Sequence, residues 1–347
     1  MQREILLSVV MPTYNSDEYI LRTLKSLDKL VDNGFQDVEV IFIDDGSSDN
    51  TVDKILHFTD GKLNYKLLKQ KHKGVSQARN YGITVAKGKY VTFLDSDDSF
   101  DSTFLHFFRK AVFENLEPDI IFGDTKKIKE PKIYNSPSND ERIEIIQSFF
   151  NLNDKTSSIG NLEPGIAAKF FKIEFLKSNN LTFNPKLVIS EDQLLNVETV
   201  TKANKILFLP NSFYRINGTH TLVFFNDNNL TGQVEFLNML IKDLKPFGKK
   251  SEFIINRAKL NATCLMVDRY FGPLYIWHRM TLNEASQQLE NVIKENKLYL
   301  AFDSTEYDSI LSNRYVIFRR LLRLRLYRLC LIVNKMLDIV KGYNRRR

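Results

Sequence analysis

Along the first third of the chain, short apolar runs are each closed by a polar, turn-forming cluster. Leu6-Leu7-Ser8-Val9-Val10-Met11 ends at Pro12-Thr13-Tyr14-Asn15, and Val38-Glu39-Val40-Ile41-Phe42-Ile43 ends at Asp44-Asp45-Gly46-Ser47-Ser48-Asp49. Tyr90-Val91-Thr92-Phe93-Leu94 ends at Asp95-Ser96-Asp97-Asp98. Runs that are apolar at nearly every position predict strands buried on both faces. Between the runs, apolar residues recur at three- and four-residue steps, as at Ile20, Leu21, Leu24 and Leu27, which predicts amphipathic helices. The pattern predicts strands over 5–11, 38–43, 64–69, 89–94 and 118–122, and helices over 16–31, 49–58, 75–86 and 101–115. Such alternation predicts an α/β fold, a doubly wound sheet with helices on both faces, whose ligands bind outside the carboxyl ends of the strands. Residues 126–139, with Pro131 and Pro137, predict a loop.

Asp95, Asp97 and Asp98 crowd one strand end. Carboxylates that close repel one another unless a cation or donor groups sit between them. Hard ions such as Mg²⁺ or Mn²⁺ take oxygen ligands and keep positions open for substrate phosphates, so the cluster suggests a metal and phosphate site. The competing assignment is a loop and helix cap, with Asp98 or Ser99 capping the helix near residue 101.

These clusters, with Gly74-Val75-Ser76-Gln77-Ala78-Arg79-Asn80 and Ser190-Glu191-Asp192-Gln193, stand in an order and spacing that resembles family 2 glycosyltransferases over roughly the first 215 residues. Teichoic-acid and other bacterial cell-surface polysaccharide glycosyltransferases look similar in the same region. The resemblance implies a GT-A fold, doubly wound with a Rossmann-like mixed sheet, a UDP-sugar donor, a divalent Mn²⁺ or Mg²⁺ ion, and inversion at the anomeric carbon. It places Pro12, Tyr14 and Asp45 in the nucleoside pocket, Asp45 as acceptor for a base imide. Asp95 and Ser96 lie beside the ribose and metal, Asp97 is the direct metal ligand, and Arg79 lies in the donor site. Asp192 matches the catalytic base, with Glu191 as a neighbour that tunes it. His220 matches a residue that reaches the metal or diphosphate in some relatives.

Taken alone, each of these residues has an ordinary structural use. Tyr14 can be packing, Asp45 a turn residue, Arg79 a solvated helix charge, Glu191 and Asp192 acids in a first helical turn, and His220 an exposed loop histidine. Trp277 and His278 fall outside the motifs and are expected to pack in a core.

At 347 residues the chain is long for one core, which predicts a catalytic domain over 1–215 and a helical region over 216–347. Its two cysteines, Cys264 and Cys330, form no framework, and the start of the chain has no signal-like segment, so a cytoplasmic enzyme is expected. Residues 314–347 carry eleven Lys and Arg and one acid, Asp338, a net +10 against +7 for the whole chain. Apolar residues there recur at helical steps, predicting one basic amphipathic helix over 314–341. That helix suits the anionic inner face of a membrane, a second subunit, or packing on its own domain, and its charge would also draw a polyphosphate or lipid-linked acceptor. A nucleic-acid partner is not expected, because the basic residues lack interleaved stacking aromatics. The alternative to an enzyme is an inactive GT-A-fold protein recruited through this helix; a degenerate member would lose Asp97 or Asp192, and both are present.

Overall fold

The computed structural model describes residues 4–32, 37–59, 64–101, 104–114, 117–123, 127–210, 214–217 and 226–340. The chain forms two compact units. The first comprises Met1–Phe149, Asn153–Pro185 and Ser190–His220, and the second Phe150–Leu152, Lys186–Ile189 and Thr221–Arg347.

The first unit runs β1 (Leu7–Thr13), α1 (Ile20–Asp32), β2 (Val38–Asp44), α2 (Thr51–Thr59), β3 (Tyr65–Lys69), α3 (Val75–Val85), β4 (Tyr90–Phe93), β5 (Ser99–Phe100) and α4 (Phe104–Phe113). It continues through β6 (Ile120–Phe122), β7 (Lys132–Asn135), α5 (Asn139–Ser148), β8 (Lys169–Lys172), α6 (Ile173–Ser178), α7 (Glu191–Lys202), β9 (Lys205–Phe208) and β10 (Tyr214–Arg215). The main sheet is mixed, in the order β3-β2-β1-β4-β8-β6-β9-β7. Strands β3, β2, β1 and β4 are parallel, and β8 runs antiparallel between β4 and β6.

Both β1 and β2 are buried along their whole length, as their unbroken apolar runs require. Glu39, the acid in the interior of β2, is satisfied by Ser8 Oγ at 2.7 Å, the Lys87 amide at 2.7 Å and Lys66 Nζ at 2.9 Å. Helix α3 lies close against β1 at Gly82, where a Cβ would fall 2.3 Å from Val10 Cγ1. That closeness is what brings the residues of α3 up to the sheet.

One sequence expectation changes here. Residues 127–139 contain an edge strand, β7, antiparallel to β9, in place of a plain loop. Ile133 faces Leu207 in that ladder, and the flanking Pro131 and Pro137 lie outside it, where their missing N–H groups cost no ladder bond. Small strands β5 and β10 pair antiparallel as a separate two-stranded sheet.

The second unit is helical: α8 (Asp227–Leu244), α9 (Glu252–Met266), α10 (Gly272–Ile276), α11 (Leu282–Glu295), α12 (Asn313–Arg323) and α13 (Tyr327–Val340). Leu240, Ile254, Leu260, Phe271, Leu289, Phe318, Leu322 and Leu331 form its buried interior. Trp277 is half-buried beneath the Arg279 guanidinium, and His278 is exposed, so the expected core role fails for His278.

The single terminal helix expected over 314–341 is broken. Arg325 sits at φ 57°, the Leu326 amide donates to Leu321 O and the Arg325 amide to Leu322 O. This is the Schellman pattern that ends a helix, here with arginine where glycine is usual. Ion pairs explain why the chain folds back. Arg319 is buried and grips Asp308 at 2.6 and 2.7 Å, and Arg314 meets Asp268 at 2.5 Å and Asp338 at 2.9 Å. A straight helix would pull Asp338 on α13 away from Arg314 on α12.

Candidate active site

Because β1, β2 and β4 are parallel, their carboxyl ends open on the same edge of the sheet, and the loops that leave them are tied together. The Asn15 amide donates to Ser47 Oγ at 3.0 Å and the Ser48 amide to Asn15 Oδ1 at 2.9 Å. Ser96 Oγ lies 2.8 Å from Ser16 Oγ, while Thr23 Oγ1 donates to Ser96 O at 2.8 Å and Asp98 O at 2.7 Å. Ser96 thus joins the first and third loops. Asp98 is not a helix cap: it is buried, and its Oδ1 accepts the Asn217 amide at 2.9 Å, fixing the segment after β10.

Tyr14 is 45% exposed and stacks on His72, ring centroids 4.1 Å apart. An exposed aromatic face of this kind suits a planar base. Pro12 is buried in β1 opposite Ile43, and so supports the loop from beneath. Asp45, expected to accept from a base imide, already has donors from its own chain. Gln70 Nε2, the Lys73 amide and the Gly74 amide donate to its carboxylate at 2.7, 2.8 and 2.8 Å, and His72 Nδ1 lies 2.9 Å from Oδ2. Gly74, at φ 90°, makes the turn that aims its amide at Asp45 and opens α3. His72 was not among the residues that the sequence singled out, and its only signal was its place two residues before Gly74.

Arg79, expected in the donor site, is buried by the fold. Its Nη1 donates to Asp192 Oδ1 at 2.7 Å and Glu191 Oε1 at 3.2 Å, and its Nη2 to Asp95 Oδ1 at 2.9 Å. The guanidinium also lies 5.2 Å from the Phe183 ring centroid. One buried cation thus binds three carboxylates, from the loop after β4 and the first turn of α7. Asp192 Oδ2 accepts the Ile166 amide at 3.2 Å, and the Asp95 amide donates to the Tyr214 hydroxyl at 3.1 Å. Ser190, which opens α7, lies at φ 71° and makes no side-chain cap.

Burial pushes the Glu191 carboxyl up to about 8, with the neighbouring Asp192 charge adding and Arg79 opposing. Burial also raises Asp192, against the pull of Arg79. A carboxyl whose folded pKa lies above its ordinary value stabilises the fold fully below that ordinary value, and the contribution is lost as pH rises toward 8. Glu191→Gln should therefore flatten the decline of Tm between the ordinary glutamate range and pH 8 and raise Tm at the alkaline end, as thermal melts across that window would show. A variant whose melting curve tracks the native chain at every pH removes this account of Glu191.

Asp97 is also raised, by burial and by the charges of Asp98 and Asp95. Arg22 touches this residue through its backbone oxygen, at 2.6 Å. A divalent cation would relieve the crowded acids, so the donor set fits a hard metal. Among the described residues no three His, Cys, Asp or Glu side chains gather as a metal cage. With Asp95 Oδ1 engaged by Arg79, Asp97 is the acid of this cluster that would hold such an ion. His220 lies outside the described residues.

Residues 8–174 match the family model described as Glycosyl transferase family 2. Poly(ribitol-phosphate) beta-N-acetylglucosaminyltransferase TarS of Staphylococcus aureus is 31% identical over 209 residues, which is 60% of this chain and 34% of TarS. Poly(ribitol-phosphate) beta-glucosyltransferase of Bacillus spizizenii is 29% identical over 250 residues, 68% of this chain and 37% of that protein. The chain thus spans about a third of the length of these relatives. The crystal structure of S. aureus TarS 1–349 in complex with UDP aligns with a TM-score of 0.60 at 20% identity, covering 98% of this chain and 93% of that one, which shows a shared fold.

Proposed function

Through residues 8–174 the chain belongs to glycosyl transferase family 2, and on that premise we propose that it transfers a sugar, with inversion, from a UDP-sugar to a polyol-phosphate or related cell-surface glycan. The observation that carries this reading is the convergence of Asp95, Glu191 and Asp192 on Arg79, because it ties the acidic loop of the donor side to the acid proposed to activate the acceptor. The names of the relatives, both acting on poly(ribitol phosphate), support the acceptor class. The UDP complex of TarS supports the nucleotide.

In the proposed reaction the acceptor hydroxyl lies beside Asp192. Each carboxylate oxygen of Asp192 gives one lone pair to a protein donor, Arg79 or the Ile166 amide, and keeps another for the acceptor proton. Its raised pKa makes it a stronger base than an exposed aspartate. As the proton moves to Asp192, the acceptor oxygen attacks the anomeric carbon from the side opposite UDP, and the glycosidic bond to the diphosphate breaks with inversion. Asp97 would hold a divalent ion, which would supply charge neutralisation at the departing diphosphate. Tyr14 receives the base on its exposed face, displacing or flanking His72.

Calorimetry with UDP in Mn²⁺ and in EDTA tests the donor side. Asp97→Ala should weaken binding at least about tenfold in Mn²⁺ and leave the EDTA value nearly unchanged, because the lost carboxylate acts through the ion. Equal weakening in both buffers, or no UDP binding by the native chain, would overturn the assignment.

A further inference from the structure

In the second unit, the only acid between residues 314 and 347 is Asp338, and it is buried against Arg314. Its burial leaves the accessible surface of α12 and α13 without negative charge. The two faces of α13 are sharply different. Tyr327, Cys330, Leu331, Asn334 and Asp338 point into the unit, whereas Leu329, Met336 and Ile339 are 43, 58 and 69% exposed. Ile332 and Val333, half-buried, complete a stripe at three- and four-residue steps along the outward face. The turn before the helix extends that stripe. Leu324 is 67% and Leu326 42% exposed, on either side of Arg325.

Cations border the apolar stripe. Arg325 and Arg328 are exposed, and the Arg320 side chain is 68% exposed, lying 3.8 Å from Asp308. The acids nearest in the fold are used locally: Glu284 caps α11 by accepting from Thr281, and Glu290 pairs with Lys294 at 2.6 Å. Arg325 also occupies the left-handed region, a strain a glycine would avoid, which argues for a use of its side chain at the tip of the turn.

We propose that the outward face of α13 and the turn at Leu324–Leu326 seat the protein on an anionic lipid surface. Apolar side chains enter the acyl boundary while the arginines at the rim meet lipid phosphates. The seat is narrower than the whole basic stretch suggested by the sequence. Arg319 is buried and Arg314 largely enclosed in ion pairs, so these two arginines build the unit and do not reach lipid, whereas Arg323 is exposed and pairs with Asp303 at 2.9 Å. Charge complementarity decides between occupants: a second copy would set like-charged arginine rims against each other, whereas a lipid phosphate layer neutralises them.

The full chain is tested by co-sedimentation with phosphatidylcholine vesicles, with and without phosphatidylglycerol. Sedimentation should require phosphatidylglycerol and fall as salt rises. Met336→Glu with Ile339→Glu, both at exposed positions, should lower partitioning at least about tenfold while Tm and UDP binding stay unchanged. Arg325→Gly suits the left-handed turn and should weaken partitioning without loss of stability. A native chain that stays in the supernatant at low salt overturns the proposal. So does a Met336→Glu, Ile339→Glu chain that sediments like the native one, or one that converts a native dimer to a monomer in sedimentation velocity, which would make this face a subunit contact.

Discussion

Asp192→Asn should reduce turnover by about two to four orders of magnitude while leaving the affinity for UDP nearly unchanged. The substitution keeps the shape of the side chain and an oxygen for the Ile166 amide, but removes the proton affinity the reaction requires. It also takes one acid out of the crowded group around Arg79, so the fold should not weaken by much. Steady-state kinetics with a UDP-sugar and an acceptor, read beside UDP calorimetry and a thermal melt, separates the alternatives. A large fall in kcat with unchanged melting and binding supports Asp192 as the base. Retained turnover moves the base elsewhere, with Glu191 the first alternative. The same experiment bears on the inactive-protein alternative, since a chain that only binds UDP would have no turnover to lose.

The strands that build the site were legible because each is buried on both faces and therefore apolar at successive positions, as in β1 and β2. Strand boundaries moved by at most two residues, enough to place Pro12 within β1. What was illegible has a common cause in sequence distance. The pair β5 and β10 is two residues long on each side and joins Phe100 to Tyr214, too short for any period to register. Arg79 sits on α3 at a position that could face solvent, and only the packing of Phe183 and the first turn of α7 encloses it. Two of its three carboxylate partners, Glu191 and Asp192, lie more than a hundred residues away, so its use as the link between carboxylates was hidden. The break between α12 and α13 was hidden for the opposite reason: the apolar and basic period runs straight through it, and its left-handed residue is an arginine. Tertiary ion pairs at Arg314 and Arg319 overrode the local pattern.

The largest effect on stability is expected at Arg79. Removing a buried cation leaves its partner acids desolvated and uncompensated, a change that costs about 3–5 kcal/mol when a buried ion pair loses one member. Here Arg79→Met would leave Asp95, Glu191 and Asp192 facing one another. Without the guanidinium, the folded-state pKa values of Glu191 and Asp192 rise further above their ordinary values. Groups raised in this way stabilise the fold at pH values below their ordinary range and lose that contribution as pH rises, so the deficit of Arg79→Met should be greatest near neutrality and above, and should shrink on acidification. Combining Arg79→Met with Asp192→Asn should recover part of the lost stability, because one of the crowded charges is gone, whereas turnover should stay as low as in either single variant. Denaturant melts at several pH values, run on the two single variants and the double, make the cycle. If Arg79→Met melts like the native chain at neutral pH, or if its deficit grows on acidification, the three carboxylates are not held by this guanidinium, and the link between the donor loop and the acceptor base has to be sought elsewhere.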